Sequence, residues 1–139
     1  TEEHGGCAEV HLVQLPLMFD IKPEEARLLL DVAMLATGRN RFKSAAKILA
    51  ALERFRPGNP SLAAANAMLF ISMGEFQGAV DYLDGEALPN CPDAAMLKTF
   101  KGMALIRMGR EAEARAPLEE AAKQSADPAA AQMAKDLLA

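Results

Sequence analysis

A helix–turn–helix pattern that returns every 34 or 35 residues constrains this 139-residue chain more than any other feature. Its clearest copy is Met68 to Leu83, MLFISMGEFQGAVDYL, which reads as a short helix, a turn at Met73-Gly74-Glu75 and a second short helix. Upstream, Arg41-Phe42-Lys43-Ser44-Ala45 repeats Glu75-Phe76-Gln77-Gly78-Ala79, which sets Ala45 and Ala79 34 residues apart. Downstream, Met108-Gly109-Arg110-Glu111-Ala112-Glu113-Ala114 repeats Met73 to Ala79, with Gly74 and Gly109 35 residues apart. One helical pair cannot bury its apolar face by itself. Recurrence at this period therefore predicts pairs stacked on a continuous core, an all-α fold.

The breakers along the chain divide it accordingly. Residues 1–22 read as an arm and 23–139 as the repeat domain. Within the arm, Ala8 to Ile21 (AEVHLVQLPLMFDI) is apolar but irregular, and Pro16 prevents one continuous helix. Two readings stay open for it: a cap over the first repeat, or a second-subunit surface formed by Val10, Leu12, Leu15, Leu17, Met18 and Phe19. Asp20 or Lys22 with Pro23, Glu24 and Glu25 marks a helix start. That helix is expected to run to Thr37, before Gly38-Arg39-Asn40, with a partner from Arg41 to Phe55. Arg56-Pro57-Gly58-Asn59-Pro60 stops the partner. Ser61 to Met73 and Glu75 to about Asp84 form the next pair, the second helix broken at Gly85 and again at Leu88-Pro89-Asn90-Cys91-Pro92. The extra residue behind the 35-residue spacing falls here. Asp93 is the expected N-cap of a helix over Ala94–Met108. Arg110 to Gln124 follows with Pro117 inside it, a position that should kink the helix or remove a hydrogen bond. Asp127-Pro128 opens a terminal helix over Ala129–Leu138 that covers the last apolar face.

Composition removes several function classes. The net charge is −4 and no basic run exists, so nucleic acid lacks the Lys and Arg cluster that phosphate neutralisation needs. No apolar run approaches the roughly 20 residues of a bilayer span, and no signal peptide is visible. Membrane insertion is not expected. Cys7 and Cys91, 84 residues apart without CxxC or a flanking His, read as free thiols of a reducing compartment, giving a cytoplasmic expectation. His4 and His11 lie in the arm, away from any nucleophile. Glu24-Glu25, Glu111 with Glu113, and Glu119-Glu120 fit helix starts or solvated faces. Without a phosphate loop, metal-ligand spacing or nucleophile motif, the chain reads as a non-enzyme with no metal and no cofactor.

These units resemble tetratricopeptide (TPR) repeats, over about residues 26–59, 60–93 and 95–128. TPR units place small residues where the two helices cross and an apolar residue after the turn. The first unit supplies Leu29, Val32, Ala33, Phe42, Ala45, Leu49, Leu52 and Pro57. The second supplies Ala63, Ala67, Phe70, Gly74, Phe76, Ala79 and Leu83, departing at Asn66 and Glu86. The third supplies Gly102, Leu105, Gly109, Ala114, Leu118 and Ala121, but Lys98, Lys101 and Glu111 fill slots that are normally apolar. Either its first helix turns Leu97, Phe100 and Ala104 inward, or the lysine stems snorkel. The resemblance implies three pairs in a right-handed superhelix with a C-terminal capping helix over 129–138.

In such a superhelix the first helix of each pair lines a concave groove. On that frame Met34, Met68 and Met103 share one groove position, flanked by Leu30, Thr37, Ala64, Ile71, Met96, Thr99 and Ile106. Flexible, polarisable thioethers repack against varied apolar partners, so the trough suits an amphipathic helix or an extended apolar segment. The alternative is that the methionines fill inter-helix core. The Lys, Asn and Arg clamps of TPR adaptors that read C-terminal carboxylates are missing, since only Arg27 and Arg107 lie near.

Leu52-Glu53-Arg54-Phe55-Arg56-Pro57-Gly58-Asn59-Pro60 followed by Ala67-Met68-Leu69-Phe70-Ile71-Ser72-Met73-Gly74-Glu75-Phe76 carries a narrower resemblance. A small Ala/Leu-rich chain with this core is similar to the TPR proteins of bacterial type III secretion: needle-subunit co-chaperones, chaperones of translocator proteins and Hrp-type assembly proteins. The resemblance implies a cytoplasmic chaperone whose groove shields an amphipathic helix of a secreted needle or translocator subunit until export. A small helical co-chaperone and a homo- or hetero-oligomer are partners of the same kind. A generic TPR scaffold, or a structural subunit of a larger assembly, is the other reading.

Overall fold

The computed structural model describes residues 21–139. Among these residues every regular element is helical. Three helical pairs follow one another: α1 (Pro23–Gly38) with α2 (Phe42–Phe55), α3 (Pro60–Ser72) with α4 (Phe76–Tyr82), and α6 (Ala95–Arg107) with α7 (Glu111–Ala122). Between the second and third pairs, α4 runs on through a π-helical segment, Leu83–Ala87, into a short α5, Leu88–Asn90. The terminal α8 spans Pro128–Leu138. Each helix packs on its own partner and on the pair that follows. Thus α1 meets α2 and α3, α3 meets α4 and α6, and α6 meets α7 and α8, while α2, α4 and α7 each lie against the first helix of the next unit. Contacts between successive neighbours are the packing logic of an α-solenoid.

The turns inside the pairs are one motif used three times. Asn40 (φ 62), Gly74 (φ 78) and Gly109 (φ 75) take the left-handed conformation. The amide of the following residue then donates to a carbonyl five positions back: Arg41 to Ala36, Glu75 to Phe70 and Arg110 to Leu105, each at 2.8 Å. This 6→1 bond ends a helix on a left-handed residue, glycine by preference and asparagine next. In the first pair α1 therefore continues through Gly38, and Asn40 fills the glycine slot. The expected end, about Thr37, lies one residue from the observed Gly38.

The helix starts follow side-chain chemistry at the expected Asp127 and Lys22–Glu25, fail at Asp93, and use a cap at Asn59 that the sequence presents only as part of a breaker. Asn59 and Asp127 accept the amides of Leu62 and Ala130, each at 3.1 Å, satisfying donors that a first turn leaves orphaned. The Lys22 amide donates to Glu25 Oε1 at 2.9 Å, ahead of Pro23. Asp93 does not cap α6. The N-cap is Ala94, without a side-chain bond, and the Asp93 carbonyl instead accepts Gln124 Nε2 at 3.0 Å. The second-unit partner helix does not break at Gly85 either. The π turn absorbs the extra residue that lengthens the period from 34 to 35, the usual way one inserted residue is accommodated within a helix.

Small residues sit where the paired helices cross. Ala33, Ala67, Ala45 and Ala79 are wholly buried and Ala114 is 1% exposed. At Gly102 an added Cβ would lie 2.4 Å from Leu118 Cγ. Leu49, Leu83 and Leu118 occupy one further repeated position, all fully buried. Helix α3 gives Leu62, Ala65 and Leu69 to one cluster and Ala63, Ala67 and Ile71 to the other, so it is apolar on both flanks, as a helix between two layers must be. Both expectations for α6 hold together. Leu97, Phe100 and Ala104 point inward, and the stems of Lys98 and Lys101 run out to Glu120 (3.1 Å) and Asp84 (2.8 Å).

Cys91 is not the free thiol expected from spacing. It is disulfide-bonded and 1% exposed, with Sγ 3.8 Å from the Gly58 carbonyl. The thiol argument for a reducing compartment therefore falls at this residue. Cys7, His4, His11 and the arm positions Val10, Leu12, Leu15, Leu17, Met18 and Phe19 lie outside the described residues.

Candidate partner-binding face

The face predicted as a groove is built from α1, α3 and α6, one helix from each pair. Because the period is close to 34, residues one period apart repeat their direction on stacked helices. Met34, Met68 and Met103 consequently share a setting. Each is half-buried, Met34 against the first cluster and the other two against the second. Neither fully sealed nor fully solvated, each thioether keeps one side open. Leu30, Ala64, Met96 and Ile106 are also half-buried.

Two hollows mark the N-terminal ends of these helices. One of about 300 Å³ lies between α1 and α3, with Leu30, Ala26, Leu62 and Arg56 in its walls. The other, about 420 Å³, is framed by Ala64 of α3, Met96 of α6 and the α7–α8 connection at Ala126 and Asp127. Three expected groove residues do not reach this face. Thr37 is 3% exposed and Ile71 7%, and Thr37 Oγ1 donates to the Ala33 carbonyl at 2.9 Å. Thr99 is wholly buried, and its hydroxyl lies 2.9 Å from the Ala95 carbonyl and 3.3 Å from Ala130 of α8. For Thr99 the physical reason is the capping helix, since α8 occupies over α6 the place that α6 occupies over α3; Thr37 and Ile71 lie on α1 and α3, which the first helix of the next unit packs against.

The half-buried positions of the face are apolar, while charge gathers at the hollows, Arg27, Asp31 and Arg56 at the first and Asp93 and Asp127 at the second. Arg107 is engaged elsewhere, its guanidinium 4.9 Å from the Phe76 ring centre, a cation–π distance. Arg27 stands beside the first hollow. Among the described residues no group of three His, Cys, Asp or Glu side chains is placed to hold a metal. None of their helices is long and apolar enough to cross a membrane.

Sequence reasoning missed two features. One is a cleft of about 470 Å³ on the side of the second helices, where Leu49, Leu69 and Phe70 meet Glu53, Asn66, Tyr82 and Glu86. Asn66 Nδ2 donates to Tyr82 Oη at 3.4 Å, and the Phe70 and Tyr82 rings lie 5.9 Å apart. Burial pushes the Glu53 carboxyl up, the Gly58 amide opposes this, and nearby Glu86 adds to the rise. The Tyr82 hydroxyl is raised too, chiefly by burial. Asn66 and Glu86 were legible as departures from the repeat, the only signal of this cleft in the sequence. The second feature is a row of exposed apolar residues on α1: Leu28 (63%), Leu29 (37%), Val32 (43%) and Leu35 (58%). Of these, Leu29 and Val32 count in the sequence as fitting positions of the first repeat, and both stand exposed.

Neither the curated proteins nor the solved structures give a match to this chain. A family model described as bacterial type III secretion protein (HrpB1_HrpK) matches residues 16–138. That span takes in all three helical pairs and the whole of the terminal helix. The architecture that frames the methionine-bearing face is thus the family's own matched region, and the chain belongs to the HrpB1_HrpK family of bacterial type III secretion proteins.

Proposed function

We propose that this protein is a non-catalytic binding module of type III secretion. Its α1–α3–α6 face holds an amphipathic helix of a secreted needle or translocator subunit and prevents premature assembly. The observation that carries the reading is the half-buried setting shared by Met34, Met68 and Met103. An apolar helix laid across three such thioethers removes their open sides from water, and methionine adapts to its side chains at little cost. A self-assembling subunit presents an apolar helical face of this kind, and covering that face blocks polymerisation. Holding before export implies a cytoplasmic protein, while the Cys91 disulfide favours an oxidising compartment; cell fractionation against a periplasmic marker decides between them.

The binding test uses the subunit that co-purifies with the native protein, identified by mass spectrometry. Met68→Glu should weaken binding of that subunit by about tenfold or more, because the carboxylate would be desolvated without a partner. Met68→Leu keeps the apolar contact and should bind within about threefold of the parent. The helical circular dichroism signal should persist in both variants. Equal affinity in the Glu variant would remove the face from the binding site.

A further inference from the structure

The cleft on the side of the second helices has a counterpart one unit further along the stack. There α6 is the floor between α4 and α7, and Lys98 and Lys101 rise from it. Their ammonium groups reach acids on both flanks. Lys98 pairs with Glu120 of α7 at 3.1 Å, and Lys101 with Asp84 of the π-helical segment after α4 at 2.8 Å. In the earlier cleft α3 is the floor between α2 and α4. The residues 35 positions before the two lysines are Ala63 and Asn66, so this floor brings no cation. The acids remain. Glu86 stands 34 residues before Glu120, and Glu53 lies one helical turn past Ala50, the residue 34 positions before Asp84. Both carboxylates line the cleft beside Asn66 and Tyr82. Among the described residues neither has a cationic partner. Two like charges held together without a counter-charge oppose each other's ionisation, and Glu86 adds in this way to the rise that burial begins at Glu53.

We infer that the cleft between α2 and α4 takes a lysine side chain of a partner protein, which supplies from outside the cation that the next unit supplies from within. Shape agrees with charge. Phe70 and Met73 stand in the walls of this hollow of about 470 Å³, and apolar walls below acidic lips suit an aliphatic stem with a charged tip. The Phe70 and Tyr82 rings, 5.9 Å apart, add aromatic faces that attract an ammonium group. Asn66 Nδ2 is directed at Tyr82 Oη (3.4 Å), which leaves the amide oxygen as a further acceptor. A metal ion fits less well, because among the described residues no third His, Cys, Asp or Glu joins the two carboxylates. The two departures from the repeat pattern, Asn66 and Glu86, thus belong to one site: the first removes the internal lysine and the second keeps the acid.

The cleft lies away from the α1–α3–α6 face, so this inference is independent of the cargo-holding reading. The probe is a helical alanine–glutamine peptide with one central lysine, titrated into the isotope-labelled full chain and followed by nuclear magnetic resonance. The same peptide with norleucine keeps the stem and loses the charge. The lysine peptide should shift the Asn66 side-chain amide and bind about fivefold or more tightly than the norleucine peptide, a difference of ion-pair size. Glu53→Gln with Glu86→Gln should bring the two peptides to equal affinity. Asn66→Lys puts a lysine where the third unit has one, and should also abolish the preference by filling the cleft from within. The substituted positions are exposed or half-buried, and an unchanged helical circular dichroism signal certifies the fold of each variant. Equal affinity of the two peptides for the parent chain, or a lysine preference that survives either set of substitutions, overturns the inference. So does a shift at Asn66 produced by calcium chloride and not by the lysine peptide, since the cleft is then a metal site.

Discussion

Two glycines that look alike in the sequence do different physical work. Gly74 sits at φ 78 with nothing within 4 Å of an added Cβ, so its role is conformational alone. Gly74→Ala should cost about 1–2 kcal/mol, the strain of a left-handed residue bearing a side chain. Gly102 is helical, and alanine there gains about 1 kcal/mol of helix propensity. The added methyl, however, would meet Leu118 Cγ at 2.4 Å. Overpacking of about 1–3 kcal/mol wins, so Gly102→Ala should lower the urea midpoint, and pairing it with Leu118→Ala should remove the clash. Glu53 gives a pH-dependent prediction. Its folded carboxyl is raised, mainly by burial, so the folded state binds this proton more tightly than the unfolded chain. Deprotonation therefore destabilises the fold above the carboxylate range. Glu53→Gln should raise the melting temperature at pH 7, and the gain should shrink as pH falls through the carboxylate range. A gain that does not shrink would show that charge is not its source.

At the scale of elements, two irregularities are absorbed differently. The extra residue of the second unit goes into the π turn at Leu83–Ala87, which keeps Leu83 wholly buried and Ala87 at 4% exposure. Pro117 stays inside α7 without ending it. Lacking an amide, it leaves the Glu113 carbonyl without its usual i+4 donor. Pro117→Ala restores that bond and should stabilise the protein by about 1–2 kcal/mol, read from chemical denaturation. The elements themselves were legible from breakers and caps, most clearly at the breaker over residues 56–60 and at Asp127. Asp93 was misread because an acid before an apolar helix looks like a cap whether or not its side chain turns back. Asn40 was overlooked because Gly38, two residues earlier, offered a more conventional stop.

Across the whole molecule the ends of the stack are not equivalent. At one end α8 buries Ala130 and Ala134 completely and shuts Thr99 away from solvent. At the other, α1 carries its apolar row outward. A stack stabilised by neighbour contacts holds its terminal units less firmly than its middle, so α1 should be the first helix to exchange its amides if its row stays uncovered. The period of 34 and 35 residues, the small residues at the crossings and the breakers between helices were sufficient to establish three pairs and a terminal helix. Those features are local, and the spacing of apolar and small side chains acts before any long-range contact exists. Tertiary structure alone decided that α8 covers Thr99, that Asn66 and Tyr82 share a cleft with Glu53, and that Leu28 and Leu35 stand open while their counterparts are buried. Side-chain direction follows from the repeat, but burial depends on which neighbour arrives, and that neighbour belongs to another unit of the stack.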